Sequence, residues 1–346
     1  MKKSICFLFA IKLGICFFCF FFLSCEEEFK VDMPDNIANG IVFRGLISSG
    51  PPPYFFQLTK PAAMSAEKYY YEGIEDAEIV IEDVTAGIKD TLQLLIPQEE
   101  EGSSYVELHY YNYRTQKMEY EPLGNGRYRG RGVYITTKMY GIEGHTYTLD
   151  IYYKGEHHTA TETMIPKTEI TDLKVQSFDL GEGKTASWAP IISFVNQPEI
   201  DNYYLFHVKE YSSLTFPVSS IHYLFWADEN WRYSILSDEH LGDTVADLLV
   251  SDGEGVRNIA PGSHYPVIGD SVFITMESIS KACYDIYDKA IGQLRTDGGA
   301  YTPTPTSVES NISGNVWGIF RVSAYSEKGM FVDCLLYTSD AADDKA

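Results

Sequence analysis

From Gly40 onward the sequence is a succession of short runs rich in β-branched and aromatic residues, each closed by a turn signal, and that rhythm confines the chain to a β fold. Tyr147-Thr148-Leu149-Asp150-Ile151-Tyr152 is the clearest run, with Tyr147, Leu149 and Ile151 on one face as a period of two demands. Residues 41–43, 54–58, 77–82, 91–96, 105–113, 127–129 and 158–162 read as further strands. Pro166 then ends the last of them, and residues 170–173 begin a new one. Residues 189–194, 203–208, 271–277 and 316–322 continue the pattern. Residues 280–294 are different: Cys283, Ile286, Tyr287, Ala290, Ile291 and Leu294 recur at helical spacing, with Ser280 placed as an N-cap. The expected architecture is all-β, two consecutive β-sandwich domains of the immunoglobulin or fibronectin kind at 39–165 and 166–333. The second is expected to carry the helix and an irregular insertion at 209–268.

Cysteine usage says what holds such a body together. Lys2 and Lys3 form a basic start, and residues 13–23 are 11 largely apolar residues, far short of the roughly 20 that span a bilayer. Ser24 is the small residue required before a cleaved bond, and Cys25 follows it, so residues 1–24 read as a lipoprotein signal with Cys25 as the acylated first residue. Phe22 stands where such signals usually carry leucine; an ordinary signal peptide or a thin signal anchor is the alternative. Cys6, Cys16 and Cys19 then leave with the signal, and only Cys283 and Cys334 remain. Two cysteines make no disulfide framework, so apolar cores must stabilise the fold.

Residues 25–38 read as an acidic tether. Its Glu26-Glu27-Glu28 run resembles the signal that sends Bacteroidetes lipoproteins to the outer face of the outer membrane; a plain solvated charge run is the other reading. The formal charge of the whole chain is -22, which repels phosphate backbones and argues against a nucleic-acid partner. From Cys334 to the end, Cys-Leu-Leu-Tyr-Thr-Ser-Asp-Ala-Ala-Asp looks like the translation of a sequencing adapter, and residues 334–346 are set aside. Cys283, between Ala282 and Tyr284, then reads as a packed structural thiol.

Catalytic patterns are thin. Beyond Cys25 the chain has no Gly-x-Ser-x-Gly, His-Glu-x-x-His, phosphate-loop or Cys-x-x-Cys motif; Cys16 and Cys19 have that last spacing but lie in the signal segment. His157-His158 is an adjacent pair, but neighbours on a strand point to opposite faces and cannot share one metal. Ser251-Asp252-Gly253-Glu254-Gly255 lacks the acid spacing of a calcium loop. Neither a metal nor a cofactor is expected. Tyrosine is the excess residue, 26 in all; Tyr69-Tyr70-Tyr71 and Tyr110-Tyr111-Asn112-Tyr113 combine apolar faces with polar tips suited to sugars or peptides, yet the same residues pack well inside strands. Trp226, Trp231 and Tyr233, in the irregular insertion, are the candidate ligand contacts.

An ordered set of elements resembles a Bacteroidetes lipoprotein family catalogued as domain of unknown function 4249. These are the 40–45 opening strand, Gly126-Arg127-Tyr128, Gly144-His145-Thr146-Tyr147-Thr148-Leu149, Asp201-Asn202-Tyr203-Tyr204, Gly269-Asp270-Ser271-Val272, Ser278-Ile279-Ser280, and Ser310-Asn311-Ile312 leading to Gly318-Ile319-Phe320. Where the family usually has two glycines after the Asn-Ile pair, this chain has Ser313-Gly314. The resemblance implies a lipid-anchored companion of a TonB-dependent outer-membrane receptor and no established enzymatic activity. The expected function is therefore a non-enzymatic, surface-exposed accessory of nutrient uptake, with a structural or adhesive surface subunit and a surface hydrolase as alternatives.

Overall fold

The structure, a computed structural model, describes residues 39–61, 72–99, 106–112, 115–122, 131–136, 138–178, 187–197, 200–211, 234–250, 271–295 and 309–331. In chain order the strands are β1 (Ile41–Ser48), β2 (Phe55–Thr59), β3 (Glu78–Asp83), β4 (Ile88–Thr91), β5 (Gln93–Leu95), β6 (Gln98–Glu99), β7 (Val106–Asn112), β8 (Lys117–Pro122), β9 (Val133–Ile135), β10 (Thr146–Tyr153), β11 (Glu156–Thr163), β12 (Ile170–Phe178), β13 (Ser187–Val195), β14 (Tyr203–Tyr211), β15 (Ser234–Ser237), β16 (Thr244–Leu249), β17 (Ser271–Ser278) and β18 (Val316–Phe331). One helix among the described residues, α1 (Lys281–Arg295), lies between the last two strands. The chain is all-β with sheets packed face to face, as its strand rhythm requires.

β18 organises the whole. Its first half pairs in parallel with β1, from Ile41 opposite Val316 to Ser48 opposite Ser323. Its second half pairs antiparallel with β17, from Ser278 opposite Ala324 to Ser271 opposite Phe331. The result is one eight-stranded sheet in the order β15-β14-β17-β18-β1-β2-β9-β5. Two smaller sheets cover one of its faces. Over the N-terminal half lies β11-β10-β3-β4, and Ile79, Ile81, Tyr147, Leu149 and Ile151 interleave with Phe43, Ile47, Phe56, Leu58, Phe320 and Val322. Over the other half lies β12-β13-β16, where Leu173, Ile192, Phe194 and Val245 meet Tyr204, Phe206, Val272, Ile274 and Met276. Each such apolar side chain, fully buried, contributes roughly 1.5–3 kcal/mol. Along the chain the cores change between Met164 and Ile170, while β18 serves both: Ala324 belongs to the first and Met330 packs on the second.

The opposite face of the long sheet carries two smaller covers. The β6-β7-β8 sheet buries Leu108 and Tyr110 against Phe55, Leu95, Val133 and Ile135. Helix α1 lays Cys283, Tyr284 and Tyr287 on Leu205, Ile235 and Ile319. Its cap is the expected one, since Ser280 Oγ accepts the Cys283 N–H at 3.2 Å.

Several local expectations change. Residues 91–96 do not form one strand: Leu92 turns inward between β4 and β5, its N–H bonded to the Ile79 carbonyl, and the chain crosses from the four-stranded to the eight-stranded sheet there. β8, β9, β15 and β16 are strands that the alternation did not single out; β9 has three residues and β15 four, too short for a periodic signal. The expected strand at 127–129 lies outside the described residues. Tyr147 also has a second task. Its hydroxyl donates to the Tyr140 carbonyl at 2.7 Å and accepts the Ile142 N–H at 2.8 Å, the tyrosine corner of Greek-key sandwiches.

Candidate functional site

The densest polar chemistry among the described residues sits where β14, β17 and β18 run side by side under helix α1. Alternation puts Glu277 on the face opposite Met276, and the β17–β18 register brings Arg321 and Ser323 to the same face. His207 arrives from the other side, through the β14–β17 pairing. Glu277 is 4% exposed and Arg321 7%, so this is a buried charge pair and not a surface one. The carboxylate is surrounded by donors. Ser323 Oγ donates at 2.6 Å, His207 Nε2 lies 2.8 Å away, and Arg321 Nε lies 3.3 Å away. Arg321 also donates to the Tyr287 hydroxyl, which ties the cluster to the helix.

Burial by itself would raise the Glu277 carboxyl; the Arg321 charge, the His207 contact and the Ser323 hydroxyl outweigh it and hold it at about 2. Glu277 is therefore an anion at neutral pH. The order of the contacts decides what the group can do. In a hydrolytic triad the histidine touches the serine and the acid backs the histidine. Here the carboxylate stands between the two, and Ser323 is fully buried. The serine proton is directed at Glu277 and not at the imidazole. The geometry suits an anchor that fixes β14, β17, β18 and α1 to one another.

A second polar seam closes the N-terminal core. Residues 310–315 run along the outer edge of β11: Ser313 N–H donates to the Thr159 carbonyl at 2.8 Å, and Thr159 N–H donates back to Ser313 Oγ at 2.7 Å. Asn311 Nδ2 donates to Glu162 at 2.8 Å, and its amide oxygen accepts the Phe320 N–H at 3.0 Å. The Ser313 side chain thus adds a hydrogen bond to the seam. Gly314 keeps the positive φ of 80°, and a Cβ there would meet His158 Nδ1 at 2.5 Å. Burial pushes the Glu162 carboxyl up, against the hydrogen bonds from Asn311 and Ser280.

The residues singled out in the sequence are distributed as follows. Cys25, Glu26, Glu27, Glu28, Trp226, Trp231 and Tyr233 lie outside the described residues, as do Tyr69-Tyr70-Tyr71 and the 251–255 acidic turn. His157 and His158 point to opposite faces: His157 stacks on Tyr152 with centroids 4.4 Å apart, whereas His158 is buried with Nδ1 3.1 Å from the Ser313 carbonyl. Among the described residues no group of three or more His, Cys, Asp or Glu is placed to hold a metal ion. Cys283 is fully buried, and burial pushes its thiol up to about 12, which leaves no thiolate for nucleophilic chemistry. Tyr110 is a core residue set edge-on to Phe55, while Tyr111, Met118 and Tyr120, 41%, 65% and 61% exposed, share the outer face of the β7–β8 pair. Sequence reasoning did not find the Glu277 cluster. A lone glutamate within the apolar run 271–277 was its one visible sign.

Gly126-Arg127-Tyr128, Gly269 and Asp270 lie outside the described residues; the other motif residues that suggested a family serve the framework. Gly144 takes a φ of 80°, Tyr147 makes the corner, and Asn202 Nδ2 bonds the Gln197 and Ile200 carbonyls and Asp238. Ser280 caps the helix, and Gly318 lets β18 approach β1. No curated protein matches the chain. The profile of the family described as domain of unknown function, DUF4249, matches residues 26–329, which is most of the chain, and the protein belongs to that family.

Proposed function

We propose that this protein is a lipid-anchored, surface-exposed lipoprotein of the outer membrane that serves, without an enzymatic activity of its own, as an accessory to a TonB-dependent nutrient receptor. The observation that carries the reading is where the family match begins: residue 26, immediately after Cys25. A segment shared across a family starts where the mature chain starts when everything before it is an export signal that is removed. Acylation of Cys25 supplies more than one chain, which makes anchoring stable. The acids at 26–28 are the signal for the outer face. The functional half of the reading draws support from the chemistry above, in which the buried acids and histidine act as anchors.

Metabolic labelling with an alkyne fatty acid tests the anchor. The wild-type protein takes up label and pellets with outer membranes, and Cys25→Ala loses both; equal labelling of the variant would discard the anchor. Purification from detergent-solubilised outer membranes tests the partner. A receptor barrel is expected in stoichiometric complex, and recovery in complex with a different protein would sink the assignment.

A further inference from the structure

We infer that the body stands end-on at the membrane, with the β10–β11 hairpin end of the N-terminal sandwich facing the lipid and the C-terminal sandwich held outward; this rests on acylation of Cys25. The body begins at Gly40, where a Cβ would meet the Trp317 ring at 1.7 Å, so no slack is left between that point and β1. Ile41 pairs with Val316, and its N–H bonds the Asn315 carbonyl. The same end holds the 313–314 loop against residues 158–159 and, beside them, the hairpin turn at Lys154-Gly155.

From this corner β18 runs away in parallel with β1. Its 16 residues cover roughly 50 Å. The strands of the C-terminal sandwich pair with β18 along its second half, residues 324–331, and only helix α1 and the Glu277 side chain reach back over Ile319, Arg321 and Ser323. Between Cys25 and Gly40 there are 15 residue steps, which reach at most about 50 Å when fully extended. Placing the C-terminal sandwich against the lipid requires the linker to run back along the whole body at its full reach. Placing the hairpin end there requires no extension at all, and the loss of chain entropy on stretching decides between the two.

Energy transfer from a dye on the acylated protein to headgroup-labelled phosphatidylcholine vesicles tests the orientation. The dye is placed at Glu156→Cys, beside the hairpin turn, or at Leu249→Cys. Leu249 is opposite Ile191, itself opposite Lys174, three residues beyond Thr171 whose carbonyl bonds Lys328 near the far end of β18. Both variants carry Cys334→Ser, and Cys283, fully buried, takes no label. Transfer from position 156 is expected to exceed that from position 249 several-fold, because roughly 50 Å of strand separates the two ends. Equal transfer, from a body lying along the membrane, or stronger transfer from 249 would overturn the orientation alone. Failure to bind vesicles, with Cys25 unmodified by mass spectrometry, would overturn the anchor and the orientation with it.

Discussion

Glu277 and Glu162 are both buried carboxyls, and their surroundings push them in opposite directions. Glu277 has a cation and two further partners, and its folded value of about 2 lies below the ordinary 4.5. Its stabilising effect is present above the unfolded value and lost as pH falls through 2, on the order of 3 kcal/mol in all. Glu162 has amide and hydroxyl donors but no cation, and its value is raised. Its stabilising effect is present below pH 4.5 and lost as pH rises through its folded value. Glu277→Gln leaves Arg321 in a buried site without its counter-charge and is expected to cost about 3–5 kcal/mol in urea unfolding at pH 7. Glu277→Leu with Arg321→Met, which removes both charges, recovers most of that. Measured between pH 3 and 8, Glu162→Gln should abolish the part of the stability decline that belongs to rising pH. A single Glu277 variant within 1 kcal/mol of wild type would show that the pair does not hold the strands. None of this was readable in one dimension, because a glutamate in an apolar run gives no hint that an arginine 44 residues later shares its face.

At the level of the element, strand and helix identities followed from local pattern, and β18 shows where that stops. Its Gly318-Ile319-Phe320 segment is a recognisable motif, yet the reason for the glycine lies in β1. Gly318 has a φ of 100°, and a Cβ there would lie 1.9 Å from the Phe43 carbonyl oxygen. That atom is backbone in a paired strand and cannot move aside. Gly318→Ala should therefore destabilise the protein by several kcal/mol, through backbone strain and separation of β1 from β18 together; a thermal midpoint within about 2 °C of wild type would contradict this. Gly155, with a φ of 81° but open space around its Cβ position, is a control for the conformational effect without the clash. The split at Leu92 has a similar cause. Residues 91–96 have one hydrophobic pattern, but neighbouring sheets compete for it, and the chain changes sheet within the run.

At the scale of the molecule the shared strand makes the two halves interdependent. Residues 39–165 look like a domain by sequence, with their own core and a proline boundary, but that core includes Ile312, Val316, Phe320 and Val322 from the far end of the chain. Expressed alone, 39–165 should lack cooperative unfolding and native-like amide dispersion, since β1 would lose its whole parallel partner. A well-dispersed spectrum from that fragment would show that the first sandwich stands without β18. The strand rhythm, the capped helix and the packed thiol were legible in the sequence because each depends on residues near one another in the chain, and the family was legible because its short motifs follow one another in a fixed order along it. That the first and last strands pair, that one sheet runs under both cores, and that Glu277 meets Arg321, His207 and Ser323 emerges from the three-dimensional packing alone. Those contacts join residues tens to hundreds of positions apart, where side-chain period carries no information about which strand lies next to which.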